Sequence, residues 1–206
     1  MGRAGRLKKS RSKHNRASLP VHLPLWNTCR MGMHASGIAG GVIDAEGFRA
    51  NVGIMLTDGA SRLFWARRTG QSAWQFPQGG IQEHESPEEA LFRELGEEIG
   101  LGQEHVQVLG STRCWLKYRL PQRYLRHDLA PLCIGQKQIW FMLRFQGDES
   151  AVCLNAGATP EFDHWRWVDY WRPLKEVIFF KRSVYRSALS ELAPLVFPGD
   201  VPLSSF

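Results

Sequence analysis

Apolar runs separated by turn residues mark where this chain folds. ANVGIMLTD (50–58) and RLFWARR (62–68) read as two strands joined at the turn Asp58-Gly59. VQVLGSTRCWLKYRL (106–120), KQIWFMLRF (137–145) and HWRWVDY (164–170) read as further strands, and PLKEVIFFKRSVYRSALSELAPL (173–195) as one helix or two. Another helix begins after Ser86, a capping serine followed by Pro87 at the first helical position and by Glu89, placed to close a capping box. Leu91, Leu95 and Ile99 form its buried stripe, and Gly100 ends it. This order of elements predicts an α/β (α+β) fold, a mixed β-sheet sandwiched between helices, with no internal repeat.

The polar positions of that helix are unusual. In RELGEEIG (93–100), Glu94, Glu97 and Glu98 stand at i, i+3 and i+4, spacings that make side chains neighbours. Like charges there repel by a few tenths of a kcal/mol per pair, roughly. At about 100° per residue they border the apolar stripe instead of opposing it. Arg93 lies four residues from both Glu89 and Glu97, so a cation is available to hold a carboxylate. Gly96 costs about 1 kcal/mol relative to alanine in a helix interior. Two readings follow: a solvated acidic face, or a site for a hard divalent cation, which oxygen ligands suit.

The preceding stretch, WQFPQGGIQEHESPEEALF, favours the second. Gly79-Gly80 reads as a tight loop that lets backbone approach a ligand closely. Gly79, Glu85, Arg93, Glu94, Leu95, Glu97, Glu98, Gly100 and Leu101 match every fixed position of the Nudix box, Gly-x5-Glu-x7-Arg-Glu-U-x-Glu-Glu-x-Gly-U, with U a bulky aliphatic residue. The chain therefore resembles a Nudix hydrolase. The resemblance implies that Glu94, Glu97 and Glu98 hold a divalent metal, magnesium for preference, against a substrate diphosphate, with Glu94 also able to activate water. Glu85 and Arg93 become supporting residues. His84 stands where this family often has glycine and reads as a loop variant.

Charge refines the domain limits. Residues 1–43 hold eight Lys/Arg and no Asp or Glu, so taking eight from the formal +6 leaves −2 for the remainder. The basic character belongs to the N-terminal segment, whose polar, aperiodic composition predicts disorder. It lacks the apolar region of a secretory signal; a transit peptide and a nucleic-acid-binding arm both suit its composition. No apolar run is long enough to span a membrane. Cys29, Cys114, Cys133 and Cys153 form no CxxC pair, which points to reduced thiols in a cytoplasmic protein. The expected organisation is a basic extension over 1–41, a catalytic domain over 42–195 and a tail over 196–206.

Beyond the box, FRANVGI (48–54), WARRTGQSAWQFPQGGI (65–81), STRCWLKYRLP (111–121), CIGQKQIWF (133–141), TPEFDHWRWVDYW (159–171) and FKRSVYR (180–186) resemble the bacterial RNA pyrophosphohydrolase subfamily. Its members remove pyrophosphate from 5′-triphosphorylated RNA; close relatives hydrolyse dinucleoside polyphosphates such as diadenosine tetraphosphate. The resemblance implies that Arg49, Arg68 and Lys181 meet RNA, that Phe180 stacks on a 5′ base, and that Glu161 adds a metal-binding carboxylate. Ala73 departs from the serine usual there, removing one polar contact to RNA. From the residues themselves, Arg113, Lys117, Arg119, Arg123 and Arg126 interleave with Trp115, Tyr118 and Tyr124, a mixture suited to phosphates and unstacked bases, or to an ordinary solvated loop.

The match begins at Val42-Ile43-Asp44, where relatives start with Met-Ile-Asp, so residues 1–41 read as an over-extended gene start, with a genuine basic extension as the alternative. A chain starting at Val42 should therefore process triphosphorylated RNA within about tenfold of the full chain. A larger loss, with a shallower slope of log K against log salt, would make the extension an RNA-binding arm.

Overall fold

The computed structural model describes residues 42–128, 130–157, 159–199 and 201. The basic extension expected over 1–41 and residues 202–206 lie outside them. Two strands form the spine of the sheet. β1 (Phe48–Thr57) and β7 (Gly135–Phe145) run parallel, in register from Phe48 opposite Gly135 to Thr57 opposite Arg144. Both are buried along most of their length, as central parallel strands covered on both faces must be.

The remaining strands pair antiparallel. β2 (Leu63–Arg68) follows β1 through a turn in which Asp58 Oδ1 accepts from the N–H groups of Ala60 and Arg62 at 2.9 and 2.8 Å. β3 (Trp74–Gln75) pairs with β2, and β4 (Gln78–Gly80) pairs with β1. β5 (Val106–Ser111) and β6 (Leu116–Arg119) both pair with β7, and β8 (Phe162–Val168) pairs with β2. The helices are α1 (Pro87–Ile99), α2 (Pro173–Glu176) and α3 (Arg182–Val196), with a 3-10 turn at Phe179–Lys181 leading into α3.

Strand alternation divides the core into two layers. Val52, Ile54 and Leu56 of β1 and Ile139, Phe141 and Leu143 of β7 pack with Leu91, Leu95 and Ile99 of α1. Met55, Trp140 and Met142 point the other way, packing with Tyr185, Leu189 and Leu192 of α3. The sheet is thus mixed and lies between helices, as the pattern of elements predicts. At Gly53 a Cβ would fall 2.4 Å from the Trp140 ring, so the bare glycine makes room for that indole in the α3 layer.

Three expectations change. Gly79-Gly80 is a strand segment rather than a tight loop, because β4 hydrogen-bonds to β1 from Asn51 to Gly53. The single strand expected over 106–120 is two. β5 and β6 share the same partner, and the chain crosses between them at Thr112, whose hydroxyl accepts from Trp140 N at 3.1 Å. The packed chain also continues past 195: Phe197 lies 5.1 Å from the Tyr170 ring, and Val201 rests on the α3 layer.

Candidate active site

α1 begins as its sequence directs. Ser86 Oγ accepts from Glu89 N at 3.2 Å while Glu89 Oε2 accepts from Ser86 N at 2.8 Å, completing the capping box. Glu89 is thereby committed to the cap, and Arg93 turns to other carboxylates. Its Nε and Nη2 grip Glu85 Oε1 and Oε2 at 2.7 and 2.9 Å, and Nη2 also donates to Gly80 O at 2.7 Å. Nη1 donates to Glu94 Oε1 at 2.7 Å and to Glu97 Oε2 at 3.2 Å. One guanidinium therefore ties the loop before α1, the end of β4 and the acidic face of α1. Held by Arg93, the Glu85 carboxyl sits below the ordinary carboxylate range. His84, just before it, has φ +66°, the left-handed conformation that glycine favours, and is exposed.

The two glycines of the box are cradles. A Cβ on Gly79 would lie 1.7 Å from Cδ of Glu94, and one on Gly80 would lie 2.4 Å from Nη2 of Arg49. The space a side chain would fill is taken by a carboxylate and a guanidinium. Glu94 and Glu98 are each only 8% exposed. Burial pushes the Glu98 carboxyl well above the usual range and the neighbouring Glu94 adds to the shift, while the Gln78 N–H, 3.0 Å from Oε2, opposes it. Burial also raises Glu94, outweighing its bond to Arg93. Two buried acids that repel each other are a costly arrangement in a protein without a cation between them.

A second cluster faces Glu98 from β2, β3 and the turn before α3. Arg68 Nη2 lies 2.9 Å from Glu161 Oε1, Gln75 Nε2 donates to the same oxygen at 3.5 Å, and Lys181 Nζ donates to Gln75 Oε1 at 3.3 Å. Lys181 is 8% exposed, and burial lowers its pKa to about 8, Arg68 adding to the effect. Arg49 Nε, Arg68 Nε, Asn51 Oδ1 and Gln138 Oε1 are buried and have no hydrogen-bond partner among the described residues. Asn51 and Gln138 stand opposite each other across β1 and β7, on the face that Met55 and Trp140 share further along. Gln138 also donates to Gln78 Oε1 at 3.3 Å. Sequence reasoning missed these residues. The available signal was an amide side chain directly preceding the apolar run of each strand, Asn51 before VGIML and Gln138 before IWFML, since buried polar groups need partners.

Glu94, Glu97 and Glu98 share one helix face, with Glu161 near Glu98 across the cleft. They are not drawn into a ready metal cage: among the described residues no group of three or more His, Cys, Asp or Glu is close enough to hold an ion. The carboxylates pair instead with guanidinium groups. Glu94 and Glu97 lean on Arg93 and Glu161 on Arg68. The donor set still fits a hard divalent ion. Glu94 Oε2 and Glu98 Oε1 carry no protein donor among the described residues, and a cation would offset the repulsion between two buried acids. Phe180 is half-buried against the Tyr118 and Tyr124 rings, whereas Phe179 is 58% exposed, so the more open ring is not the one singled out from the sequence.

This combination of mixed sheet, capped acidic helix and arginine clamp belongs to a known class. The NUDIX domain matches residues 47–188, and the chain is a member of that family. It is 63% identical over 161 residues to an RNA pyrophosphohydrolase of Thioalkalivibrio sulfidiphilus, covering 78% of this chain and 93% of the relative. With the RNA pyrophosphohydrolase of Alkalilimnicola ehrlichii it shares 60% over 161 residues, 78% of this chain and 89% of the relative. In fold it is similar to the E. coli dihydroneopterin triphosphate pyrophosphohydrolase, with TM-score 0.55 at 16% identity over 68% of this chain and 95% of that one. Nudix hydrolases generally use divalent metal ions.

Two outcomes follow from this geometry. Gly79→Ala should displace the Glu94 carboxylate while leaving β4 in place, and an ångström of misplacement can cost about 100-fold in turnover; activity measured beside a circular-dichroism melt checks it. Lys181→Met should stabilise the metal-free protein at pH 7. Below pH 8 the lysine is charged in folded and unfolded chains alike, and the folded state bears the whole cost of burying it. Between about 8 and 10.5 only the unfolded chain keeps the proton, so wild-type stability rises with pH through that window. The advantage of Lys181→Met, on the order of 3 kcal/mol at pH 7, should shrink across the same window in urea melts with EDTA present.

Proposed function

We propose that this protein removes pyrophosphate from the 5′-triphosphate end of RNA, leaving a 5′-monophosphate that ribonucleases attack more readily. The observation that carries the reading is the 63% identity, over 93% of its length, to a relative named RNA pyrophosphohydrolase. A divalent cation, magnesium for preference, would be held by Glu94 and Glu98 with Glu97 and Glu161 at its edge. When bound, it supplies charge neutralisation at the phosphoanhydride and lowers the pKa of coordinated water. Arg93 holds Glu94 Oε1, so Oε2 is the oxygen left either to ligate the cation or to activate the attacking water.

Arg93 and Glu85 touch no substrate in this reading. They keep the Glu94 carboxylate over the bare face of Gly79. Arg49, with a free Nε beside Gly80, and Lys181 and Arg68, across from Glu98, meet the phosphates. Phe180 offers its ring to a base at the 5′ end. A cytoplasmic location belongs to this reading because its RNA substrate does; no helix among the described residues is long and apolar enough to cross a membrane.

Turnover with magnesium of 5′-triphosphorylated RNA against diadenosine tetraphosphate, compared by kcat/KM with pyrophosphate identified as product, tests the reading. A preference for the dinucleotide would overturn it. Glu97→Gln and Glu98→Gln should each lower kcat at least about 100-fold without unfolding the chain. Glu161→Gln should be milder and most visible at limiting magnesium; an unchanged rate there would return Glu161 to a solvated partner of Arg68.

A further inference from the structure

Aromatic rings lead outward from the buried Lys181. Its Nζ lies 5.8 Å from the centre of the Tyr118 ring, and Tyr118 is 5.9 Å from Phe180. Phe180 in turn lies 5.3 Å from Tyr124 and 5.5 Å from Phe179. Exposure rises along this path, from 5% at Tyr118 to 42% at Tyr124 and 58% at Phe179. At the outer end the Arg123 guanidinium sits 5.0 Å from the Tyr124 ring and 5.8 Å from the Phe179 ring.

Two exposed rings gathered around one guanidinium form a contiguous surface of the kind that marks an interaction site. The surrounding charge selects the partner. Residues 113–127 contain five Lys/Arg and no Asp or Glu. Arg113 and Lys117 pair with Glu191 and Glu46, but Arg123 has no carboxylate partner among the described residues. A cation lying over two exposed aromatic rings, continuous with a phosphate-binding cleft, suits a single strand with an anionic backbone and flat bases.

Building on the RNA reading above, we propose that Phe179, Tyr124 and Arg123 form a second stacking ledge. It takes a nucleotide 3′ of the end held at the active site, so turnover depends on RNA length. Bases stack on the Phe179 and Tyr124 rings, and Arg123 contributes both a guanidinium plane and a phosphate contact. The ledge tolerates any sequence, because every base offers a π-face.

The test uses the full chain with magnesium and two substrates: a 5′-triphosphorylated dinucleotide, and an unstructured triphosphorylated RNA of about ten nucleotides, within the span of single-strand grooves. Phe179→Ala and Arg123→Ala should each raise KM for the longer RNA at least about 5-fold, with the dinucleotide and the melting temperature unaffected. An equal loss on both substrates overturns the ledge, since the residues would then serve the 5′ end or the fold. Unchanged kinetics on the longer RNA also overturn it and leave the surface to a protein partner. A wild-type chain that cleaves diadenosine tetraphosphate and neither RNA overturns the functional reading itself, and the ledge with it.

Discussion

The Arg93 guanidinium is the interaction on which the rest of the site depends. Its donors reach Glu85, Gly80, Glu94 and Glu97, four groups from three separate segments. A lysine could neutralise the same charge. It could not hold a carboxylate side-on while bonding a carbonyl and another acid, because those directions need a planar fork. The clamp also explains how α1 tolerates carboxylates at repelling spacings. Each acid is held by a donor, and the strain is left at Glu98, whose protein donor is the Gln78 backbone N–H.

Around this clamp the sheet changes character along its length. On the α3 side, β1 and β7 present Met55, Trp140 and Met142 to the helix, then Asn51 and Gln138 one step further on. The apolar half is packed by Tyr185 and Leu189. In the polar half, Asn51 Oδ1 and Gln138 Oε1 are buried with no hydrogen-bond partner among the described residues, leaving acceptors open to water or a ligand. Apolar packing therefore gives way to polar side chains along the same pair of strands.

Lys181 is another buried polar group. It is buried beside Arg68, with Glu98 and Glu161 near enough to oppose the downward shift that burial imposes on its pKa. It sits at the N-cap of α3, after a 3-10 turn that places Phe179 in solvent and Phe180 against Tyr118. The turn decides which ring packs. Two adjacent phenylalanines in a sequence do not.

Local rules account for what could be read without coordinates. Capping at Ser86, the stripe of Leu91, Leu95 and Ile99, the stop at Gly100 and the spacing of the glutamates depend on residues within a few positions of one another. The alternation that puts α1 and α3 on opposite faces is equally local, as is the paired-glycine signal of the box. Other features depended on distant neighbours. Gly79-Gly80 became a strand because β1 lay beside it, and the expected strand over 106–120 divided because β7 took both halves. The amides Asn51 and Gln138 became part of the cleft only through the pairing of strands more than eighty residues apart. Period and capping act within one or two turns of chain, so the sequence alone determined the helix and its acids. Which carboxylate meets Arg93, which ring faces water and which amide loses its partner are set by contacts between segments, and those exist only once the sheet has closed over them.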